Sequence, residues 1–290
     1  MSPHVNGHDP RALLEAIQSS AAQVLTSMED LPVAVVLSAS QTNMYLGCPA
    51  KWGYKYISKL PEQRGGSLVR GTAVHRIAEA YYRLKLKSGG VPSDTSAFVA
   101  EVLEDVWEAG LVDASFAPDE KPDELKAQAS ALSLLYLTDI APQITPVAIE
   151  ERVTGTIGGV NIQGYIDVLD DAGTIQELKT AAKSPSAKAP VTPGYAFQAA
   201  TYAQLEPRCG GLVQLTTMVA TKTPKAVVTV YEVTGAGIRM TEQIYPAVQE
   251  AMKQGRVLPN RESNLCSRKY CSFAAQCEKD WGGTVKGECE

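Results

Sequence analysis

The stretch that decides the fold is GYIDVLDDAGTIQELKT, Gly164 to Thr180. It reads as two strands joined by a DDAG turn, with Asp167 late in the first strand and Glu177 and Lys179 in the second. Because side chains alternate along a strand, Glu177 and Lys179 project from one face while Leu178 points to the other. The turn brings Asp167 back beside that face. Two carboxylates and an ammonium are therefore expected to converge at an edge of a sheet.

This set of side chains suits phosphoryl chemistry. Two carboxylates can hold Mg²⁺ or Mn²⁺, which prefer oxygen ligands. Such an ion lowers the pKa of its bound water and polarises a phosphoryl oxygen, and a nearby lysine can orient that water or stabilise the developing charge. A solvated hairpin with ordinary surface ion pairs is the alternative for the same pattern. Other motifs in the sequence are needed to distinguish a metal site from a solvated hairpin.

Outward from this stretch, helical and strand patterns alternate. An amphipathic helix follows Gly71, with Val74, Ile77, Ala78 and Tyr81 on one face. Further helices are predicted at 96–109, 124–140, 193–205 and 237–254, and strands at 147–157, 160–170, 174–181, 211–221 and 226–234. This order favours an α/β fold with a mixed central sheet flanked by helices. Residues 1–30 are expected to form an N-terminal arm and residues 31–290 a single domain.

The composition is that of a globular protein. Of its 290 residues 44% are hydrophobic and 20% charged, and no apolar run approaches the roughly 18–20 residues of a membrane span. The N-terminus lacks the basic-then-apolar pattern of a secretory signal, so we expect a cytoplasmic protein, in a host cell if the source is viral. There, clustered cysteines favour metal binding over disulfides. The net charge of −5 argues against a uniformly basic nucleic-acid-coating protein but not against a nuclease.

Only three histidines occur, and two of them, His4 and His8, lie in the expected arm. This scarcity argues against a histidine-rich zinc centre and against a Ser-His-Asp site. His75 lies on the helix after Gly71, and alone it is typical of a structural hydrogen-bonding residue. Gln198 and Tyr202 stand four residues apart on the helix after the E-x-K strand, and alone that pair is typical of packing.

Together these elements resemble the RecB-like branch of the PD-(D/E)XK nucleases. That family carries G-x-x-x-H on a helix, G-x-x-D and E-x-K on strands, and Q-x-x-x-Y on a helix. Here the four read GTAVH (71–75), GYID (164–167), ELK (177–179) and QAATY (198–202), in the same order. The resemblance implies a restriction-endonuclease-like core and a metal-dependent DNA exonuclease that prefers single-stranded ends, acting in recombination, repair or replication.

The resemblance also implies roles for individual residues. Mg²⁺ or Mn²⁺ would be held by His75, Asp167, Glu177 and the carbonyl of Leu178, Lys179 would orient the attacking water, and Gln198 and Tyr202 would support the site and contact the DNA strand. Either Glu150 or Glu151 could contribute as well, and the sequence leaves that choice open.

Three cysteines lie close together in CSRKYCSFAAQC, namely Cys266, Cys271 and Cys277. The resemblance supplies the fourth, because iron–sulfur members of this branch, of the AddB and Cas-four types, have one cysteine before the nuclease core and three after it. Cys48 holds the upstream place. The implied [4Fe–4S] cluster would unite residues 31–60 and 256–290 in a subdomain that staples the terminal segments over the core, with Zn²⁺ as the alternative.

One spacing departs from the family, which usually has C-x2-C where this chain has C-x4-C. Cys266 is therefore the ligand whose spacing departs from the family, and Cys289 is the alternative to it. Cys209 is expected to be an ordinary core or surface residue.

No G-x-x-x-x-G-K-[ST] phosphate loop occurs, so a helicase or recombination partner would be another chain. Two rival functions remain open: a non-catalytic nucleic-acid-binding module of a recombination complex, and an iron–sulfur protein of the redox or sensing kind. The aromatic side chains near Cys48 have two interpretations. Either they stack on unpaired bases, with arginines at the phosphates, or they pack beneath the cluster; the residues concerned are Tyr45, Trp52, Tyr54, Tyr56, Arg64 and Arg70.

Overall fold

The computed structural model describes residues 36–112 and 114–287. The expected N-terminal arm, with His4 and His8, lies outside these ranges, as does Cys289. The helices are α1 (Ala39–Gly47), α2 (Pro49–Tyr56), α3 (Gly66–Ser88), α4 (Thr95–Leu111), α5 (Pro122–Asp139), α6 (Pro193–Leu205), α7 (Gly235–Lys253) and α8 (Ala274–Trp281), with a 3-10 turn at Ala141–Gln143. The strands are β1 (Pro146–Ile157), β2 (Val160–Asp170), β3 (Thr174–Ala181), β4 (Leu212–Val219) and β5 (Lys225–Glu232).

The described chain divides into two compact units. The first, here called the sheet unit, comprises residues 36–40 and 63–246 and contains all five strands. The second, the cysteine unit, comprises residues 41–62 and 247–287 and contains α2 and α8.

The strands form one mixed sheet in the order β1-β2-β3-β4-β5. Three neighbouring pairs are antiparallel, and β3 and β4 are parallel. A parallel pair needs a crossover connection, which α6 provides. The mixed α/β architecture expected from the sequence is thus confirmed.

The turn between β2 and β3 is organised by the side chain of Asp170. Its Oδ1 accepts the N–H of Thr174 at 2.7 Å and that of Ala172 at 3.0 Å, while its Oδ2 accepts Gln176 Nε2 at 2.8 Å. An aspartate that bonds backbone groups a few residues ahead favours a tight turn. This turn sets the register of β2 against β3 and therefore the position of Asp167 relative to the E-x-K segment.

The core of the sheet unit forms around α3. Its apolar face packs with α4, α5 and the buried sheet residues Leu178 and Met218. This face has the spacing predicted from the sequence, and its fully buried members are Val69, Ala73, Val74, Ile77 and Tyr81. Because α3 is anchored along this face, the polar residues on its other side have fixed positions against the sheet.

The segment around Cys48 forms two helices. Cys48 lies between α1 and α2, and Pro49 occupies the first position of α2, where its missing N–H costs nothing. Tyr45 and Trp52 are buried in edge-to-face contact, with ring centroids 5.6 Å apart. The short α8, which contains Cys277, was not predicted.

Candidate active site

The site lies where β2 and β3 separate. Their ladder has two residue pairs, Leu169 with Ile175 and Val168 with Gln176, which places Asp167 opposite Glu177. There the backbone N–H of Leu178 donates to Asp167 Oδ2 at 2.8 Å. A side-chain carboxylate therefore replaces the main-chain carbonyl as the acceptor. The place where the ladder ends, between Asp167 and Glu177, is here called the notch.

His75 reaches the notch from α3. Its Nδ1 lies 3.5 Å from Asp167 Oδ1. Burial of the imidazole lowers the pKa of His75, but the hydrogen bond and charge of Asp167 more than compensate, so this pKa lies above its ordinary value. Burial raises the pKa of Asp167. His75, Lys179 and the Leu178 N–H together outweigh this effect and hold the pKa of Asp167 below its usual range. Asp167 is therefore ionised at neutral pH.

Glu177 and Lys179 form an ion pair on one face of β3, as strand alternation predicted. Lys179 Nζ donates to Glu177 Oε2 at 2.8 Å, and Glu177 is only 4% exposed. Burial raises the pKa of Glu177 to about 7 against the opposing effect of Lys179. Burial lowers the pKa of Lys179, but the charges of Glu177 and Asp167 more than compensate and keep this pKa above its ordinary value. The lysine is therefore an ammonium at neutral pH, and it lies 5.6 Å from the ring centroid of Tyr195.

Among the described residues, Glu177 Oε1 is buried and has no hydrogen-bond partner. A buried acceptor without a partner costs about 1–3 kcal/mol, so its retention calls for an explanation. A bound cation is the partner that a carboxylate oxygen at this position would suit. The donor set of the notch thus fits a hard divalent ion.

Glu150, on β1, joins the site from the opposite side of Asp167. Ile149 pairs with Val168 and Glu151 with Ile166, so Glu150 faces Asp167 across the two strands. One ligand atom from each of His75, Glu150 and Asp167 lies within 4.8 Å of the others. Burial, and then the charges of Asp167 and Glu79, raise the pKa of Glu150.

The backbone of Glu150 is left-handed, with φ of 48°. This conformation costs a residue with a Cβ roughly 1–2 kcal/mol. Residues in such strained conformations occur often at functional sites. Glu151, the other candidate from the sequence, instead forms an ion pair with Arg208. The structure therefore places Glu150, and not Glu151, beside His75 and Asp167. No signal in the sequence indicated the unusual backbone of Glu150.

Gln198 and Tyr202 form one hydrogen-bonded pair on α6. Gln198 Nε2 donates to Tyr202 Oη at 3.0 Å. Burial raises the pKa of Tyr202 to about 12, so its phenol is neutral. This neutral pair lies beside Glu177, whose charge also acts on Tyr202.

Two glycines of the sequence motifs allow close approach of neighbouring elements. A methyl group on Gly71 would lie 2.9 Å from Thr180 Oγ1, so glycine lets α3 approach β3 next to the E-x-K segment. A methyl group on Gly164 would lie 2.5 Å from Tyr202 Cε1, so glycine lets the Tyr202 ring lie against β2. Both motif glycines therefore help to position His75 and Tyr202.

Gly164→Ala is expected to lower the free energy of unfolding by about 1–3 kcal/mol, since the Tyr202 ring or β2 must move to admit the methyl group. Urea unfolding of the full chain measures this. Gly47→Ala is the matched control, because a methyl group on Gly47 meets nothing within 4 Å. Equal unfolding midpoints for the two variants would contradict the close approach.

In the cysteine unit, Cys277 is buried in a small core with Ala50, Tyr54 and Phe273, and Cys48 and Cys271 pack against this core. Burial raises the pKa of Cys277 to about 11, and the three other cysteines of the set, Cys266 included, add to that effect. The four predicted cysteines therefore lie in one neighbourhood, called here the four-cysteine group. The backbone N–H of Asn260 donates to Cys48 Sγ at 3.4 Å.

Of the two interpretations, the one in which Arg70 contacts phosphates is not favoured. Arg70 is 5% exposed, and its Nη1 donates to Gln128 Oε1 at 2.7 Å. Base stacking by the aromatic residues is likewise not favoured, because Tyr45, Trp52 and Tyr54 are buried. Tyr54 instead packs on Phe273, with ring centroids 5.7 Å apart, in the core that also holds Cys277.

Comparison with known proteins agrees with this geometry. The family model described as the PD-(D/E)XK nuclease superfamily matches residues 36–278. The fold is similar to the crystal structure of a candidate exonuclease from Eubacterium rectale, with a TM-score of 0.54 and 14% identity over 88% of this chain and 91% of that chain. At this identity, the similarity concerns the fold alone.

A second solved structure, of the protein SSO0001, has 12% identity over 93% of this chain and 97% of that chain. Its TM-score of 0.43 is too low to carry an argument. No curated protein matches the sequence. Within the described part of the chain, no helix is long and apolar enough to cross a membrane.

Proposed function

This chain belongs to the PD-(D/E)XK nuclease superfamily, and we propose that it is a Mg²⁺- or Mn²⁺-dependent DNA exonuclease that prefers single-stranded ends. The observation that carries the proposal is the convergence of four motif side chains at the notch. His75 and Asp167 lie on one side of it, and the buried Glu177–Lys179 pair lies on the other.

Each residue has a role in this proposal. The ion would be held by His75, Asp167 and Glu177 with the carbonyl of Leu178. A divalent cation here would supply Lewis acidity and lower the pKa of a bound water. Lys179, held as an ammonium by Glu177 and Asp167, orients the attacking water and stabilises charge on the phosphate. Gln198 and Tyr202 support Glu177 from α6 and contact the DNA strand.

The preference for DNA ends has two supports. One is the resemblance of the four motifs to RecB-like nucleases, and the other is the exonuclease name given to the Eubacterium rectale protein with a similar fold. Single-strand preference and a role in recombination, repair or replication rest on the resemblance alone. A helicase or recombination protein supplied by another chain would then present the strand.

The four-cysteine group is proposed to hold a [4Fe–4S] cluster. A single Zn²⁺ with Zn–S bonds of about 2.3 Å holds its sulfurs roughly 3.8 Å apart. Within residues 36–112 and 114–287, no three cysteine sulfurs lie within 4.8 Å of one another. A four-iron cluster distributes its thiolates over four iron atoms and so separates them further. The N–H bond to Cys48 Sγ is also of the kind that tunes such clusters.

Reduced thiolates at this group require a reducing compartment, so a cytoplasmic location is part of the proposal.

Digestion of a fluorescent single-stranded oligonucleotide tests the enzymatic proposal. The purified chain is expected to shorten the oligonucleotide with Mn²⁺ or Mg²⁺ and to leave it intact with EDTA. A duplex with blunt ends should be cut more slowly, and a circular single strand should survive if ends are required. Tight binding without cleavage under every metal condition would instead favour a non-catalytic nucleic-acid-binding module.

A further inference from the structure

A row of solvent-facing side chains continues from the notch along β1 and β2. Side chains alternate along a strand, and in β2 the buried Gly164 and Ile166 face one side of the sheet, where Gly164 lies against Tyr202 of α6. Asp167 and every second residue before it face the other side. With their partners on β1 they form a surface, here called the β1–β2 strip, that consists of Arg152, Thr154, Thr156, Asn161, Gln163 and Tyr165.

The part of the strip nearest the notch holds an aromatic ring and a cation. Tyr165 and Arg152 lie directly opposite each other, one row beyond the pair formed by Glu150 and Asp167. Two residues along a strand span about 7 Å, so a base attached to a phosphate at the notch can reach the Tyr165 ring. That ring is 55% exposed, unlike the buried aromatic residues near Cys48.

The charge of the strip differs from that of the whole chain. The chain has a net charge of −5, whereas Arg152 is the only charged side chain of the strip. Arg152 Nη2 donates to Gln163 Oε1 at 2.8 Å, which holds the guanidinium on the strip. Because this partner is a neutral amide, the bond does not neutralise the positive charge, which can attract a phosphate.

An exposed aromatic ring beside an arginine suits one class of ligand. Proteins that bind single-stranded nucleic acids stack unpaired bases on aromatic side chains and hold the backbone with cations. In a duplex, the neighbouring base pairs cover both faces of each base. The Tyr165 ring is therefore matched to a base of an unpaired strand.

From this arrangement we propose that the β1–β2 strip binds the single-stranded segment next to the cleaved phosphate, with Tyr165 stacked on a base and Arg152 at a phosphate. The inference rests on the proposed nuclease function, because it takes the notch as the place of cleavage. Binding to the strip can nevertheless be measured without cleavage.

Fluorescence anisotropy of a labelled oligothymidylate measures that binding on the full chain. Ca²⁺, a hard cation with oxygen ligands, replaces Mn²⁺ in the buffer, and the oligonucleotide is checked for intactness afterwards. Tyr165→Ala is expected to bind about 10-fold more weakly than the wild type, and Tyr165→Phe, which keeps the ring, within about 2-fold of it. Binding of Tyr165→Ala to a blunt duplex should change by less than about 2-fold.

The role of Arg152 has its own measurement. Arg152→Gln should reduce the slope of log affinity against log salt concentration by about 1, because one phosphate contact is lost. Matched controls lie on β5, at the opposite edge of the sheet. Val230, at 58% exposure, and the exposed Lys225 are replaced by alanine and glutamine, and neither change should alter binding or its salt dependence.

Tyr165→Trp reports on stacking directly. Its indole emission is expected to be quenched when oligothymidylate saturates the chain, whereas the emission of the wild type, in which Trp52 and Trp107 are buried, should change little. Thermal unfolding shows that each variant is folded, and melting temperatures close to that of the wild type are expected because Tyr165 is exposed.

The inference is overturned if Tyr165→Ala binds the single strand as tightly as Val230→Ala does, or if the Tyr165→Trp emission stays unchanged at saturation. Ring-dependent binding by a chain that cleaves no DNA would support the strip and reject the nuclease proposal. Cleavage by the wild type, together with unchanged binding by Tyr165→Ala, would do the opposite.

Discussion

Asp167→Asn is expected to bind a single-stranded oligonucleotide about as tightly as the wild type and to cleave it about 10³-fold more slowly. Asp167 is the ionised carboxylate between His75 and the Glu177–Lys179 pair, so its charge is needed for a divalent ion at the notch. Loss of several kcal/mol of metal-dependent transition-state stabilisation corresponds to this factor, because each 1.36 kcal/mol is tenfold in rate.

Asparagine is the appropriate replacement because the variant should keep the fold of the notch. The amide oxygen of asparagine can still accept the Leu178 N–H that Asp167 Oδ2 accepts now. Loss of cleavage would then reflect the missing charge and not a collapsed strand pair. Single-turnover rates under saturating Mn²⁺, with fluorescence anisotropy for binding, separate the two effects.

Asp171→Asn is the control for this prediction. Asp171 is exposed in the turn between β2 and β3, four residues from Asp167. Its replacement should leave both cleavage and binding near wild-type values. Cleavage by Asp167→Asn at a rate close to that of Asp171→Asn would reject the site assignment as a whole.

Much of the sheet unit was predictable because its local signals agree with one another. Strand β3 and helix α6 begin and end at the residues predicted from the sequence. The convergence of Asp167 with Glu177 and Lys179 followed from alternation together with a turn that the Asp170 side chain closes. Where periodicity and turn chemistry point to the same arrangement, a sequence specifies its structure closely.

Two of the features that escaped prediction, the backbone of Glu150 and the partner of Arg70, depend on contacts distant in sequence. The left-handed backbone of Glu150 has no local cause. Glu150 and Glu151 are chemically identical, so their different backbone conformations depend on the surrounding sheet. One of the two interpretations placed Arg70 at the phosphates, but it lies on α3 and its partner is Gln128 on α5. Helix α8 has only eight residues, too few for a helical period to stand out.

Cys277→Ser is expected to remove the proposed iron–sulfur cluster and to lower the free energy of unfolding by about 5 kcal/mol. Cys277 is the buried cysteine of the four-cysteine group. The group joins Cys48 to a segment about 220 residues later in the chain, and a cross-link across so long a loop removes roughly that much conformational free energy from the unfolded state. Since whole domains are stable by only about 5–15 kcal/mol, the variant should be near its unfolding threshold.

Anaerobic purification allows both parts of this prediction to be measured on one sample. The wild type should be brown, with broad absorption near roughly 400 nm and four irons and four sulfides per chain. Cys277→Ser should be colourless, and its urea midpoint should fall. Cys209→Ser is the matched control, because Cys209 lies in the loop before β4 and its sulfur accepts the Gly211 N–H at 3.4 Å. It should keep the iron and change stability by less than about 0.5 kcal/mol.

If the four-cysteine group binds Zn²⁺ instead, the expected results differ. A wild-type chain with stoichiometric zinc and no iron would reject the cluster, yet Cys277→Ser would still destabilise it, because any ion bound by four thiolates contributes its binding free energy to folding. Iron content therefore decides the identity of the cofactor, whereas the difference between Cys277→Ser and Cys209→Ser decides whether the four-cysteine group holds the terminal segments of the chain together.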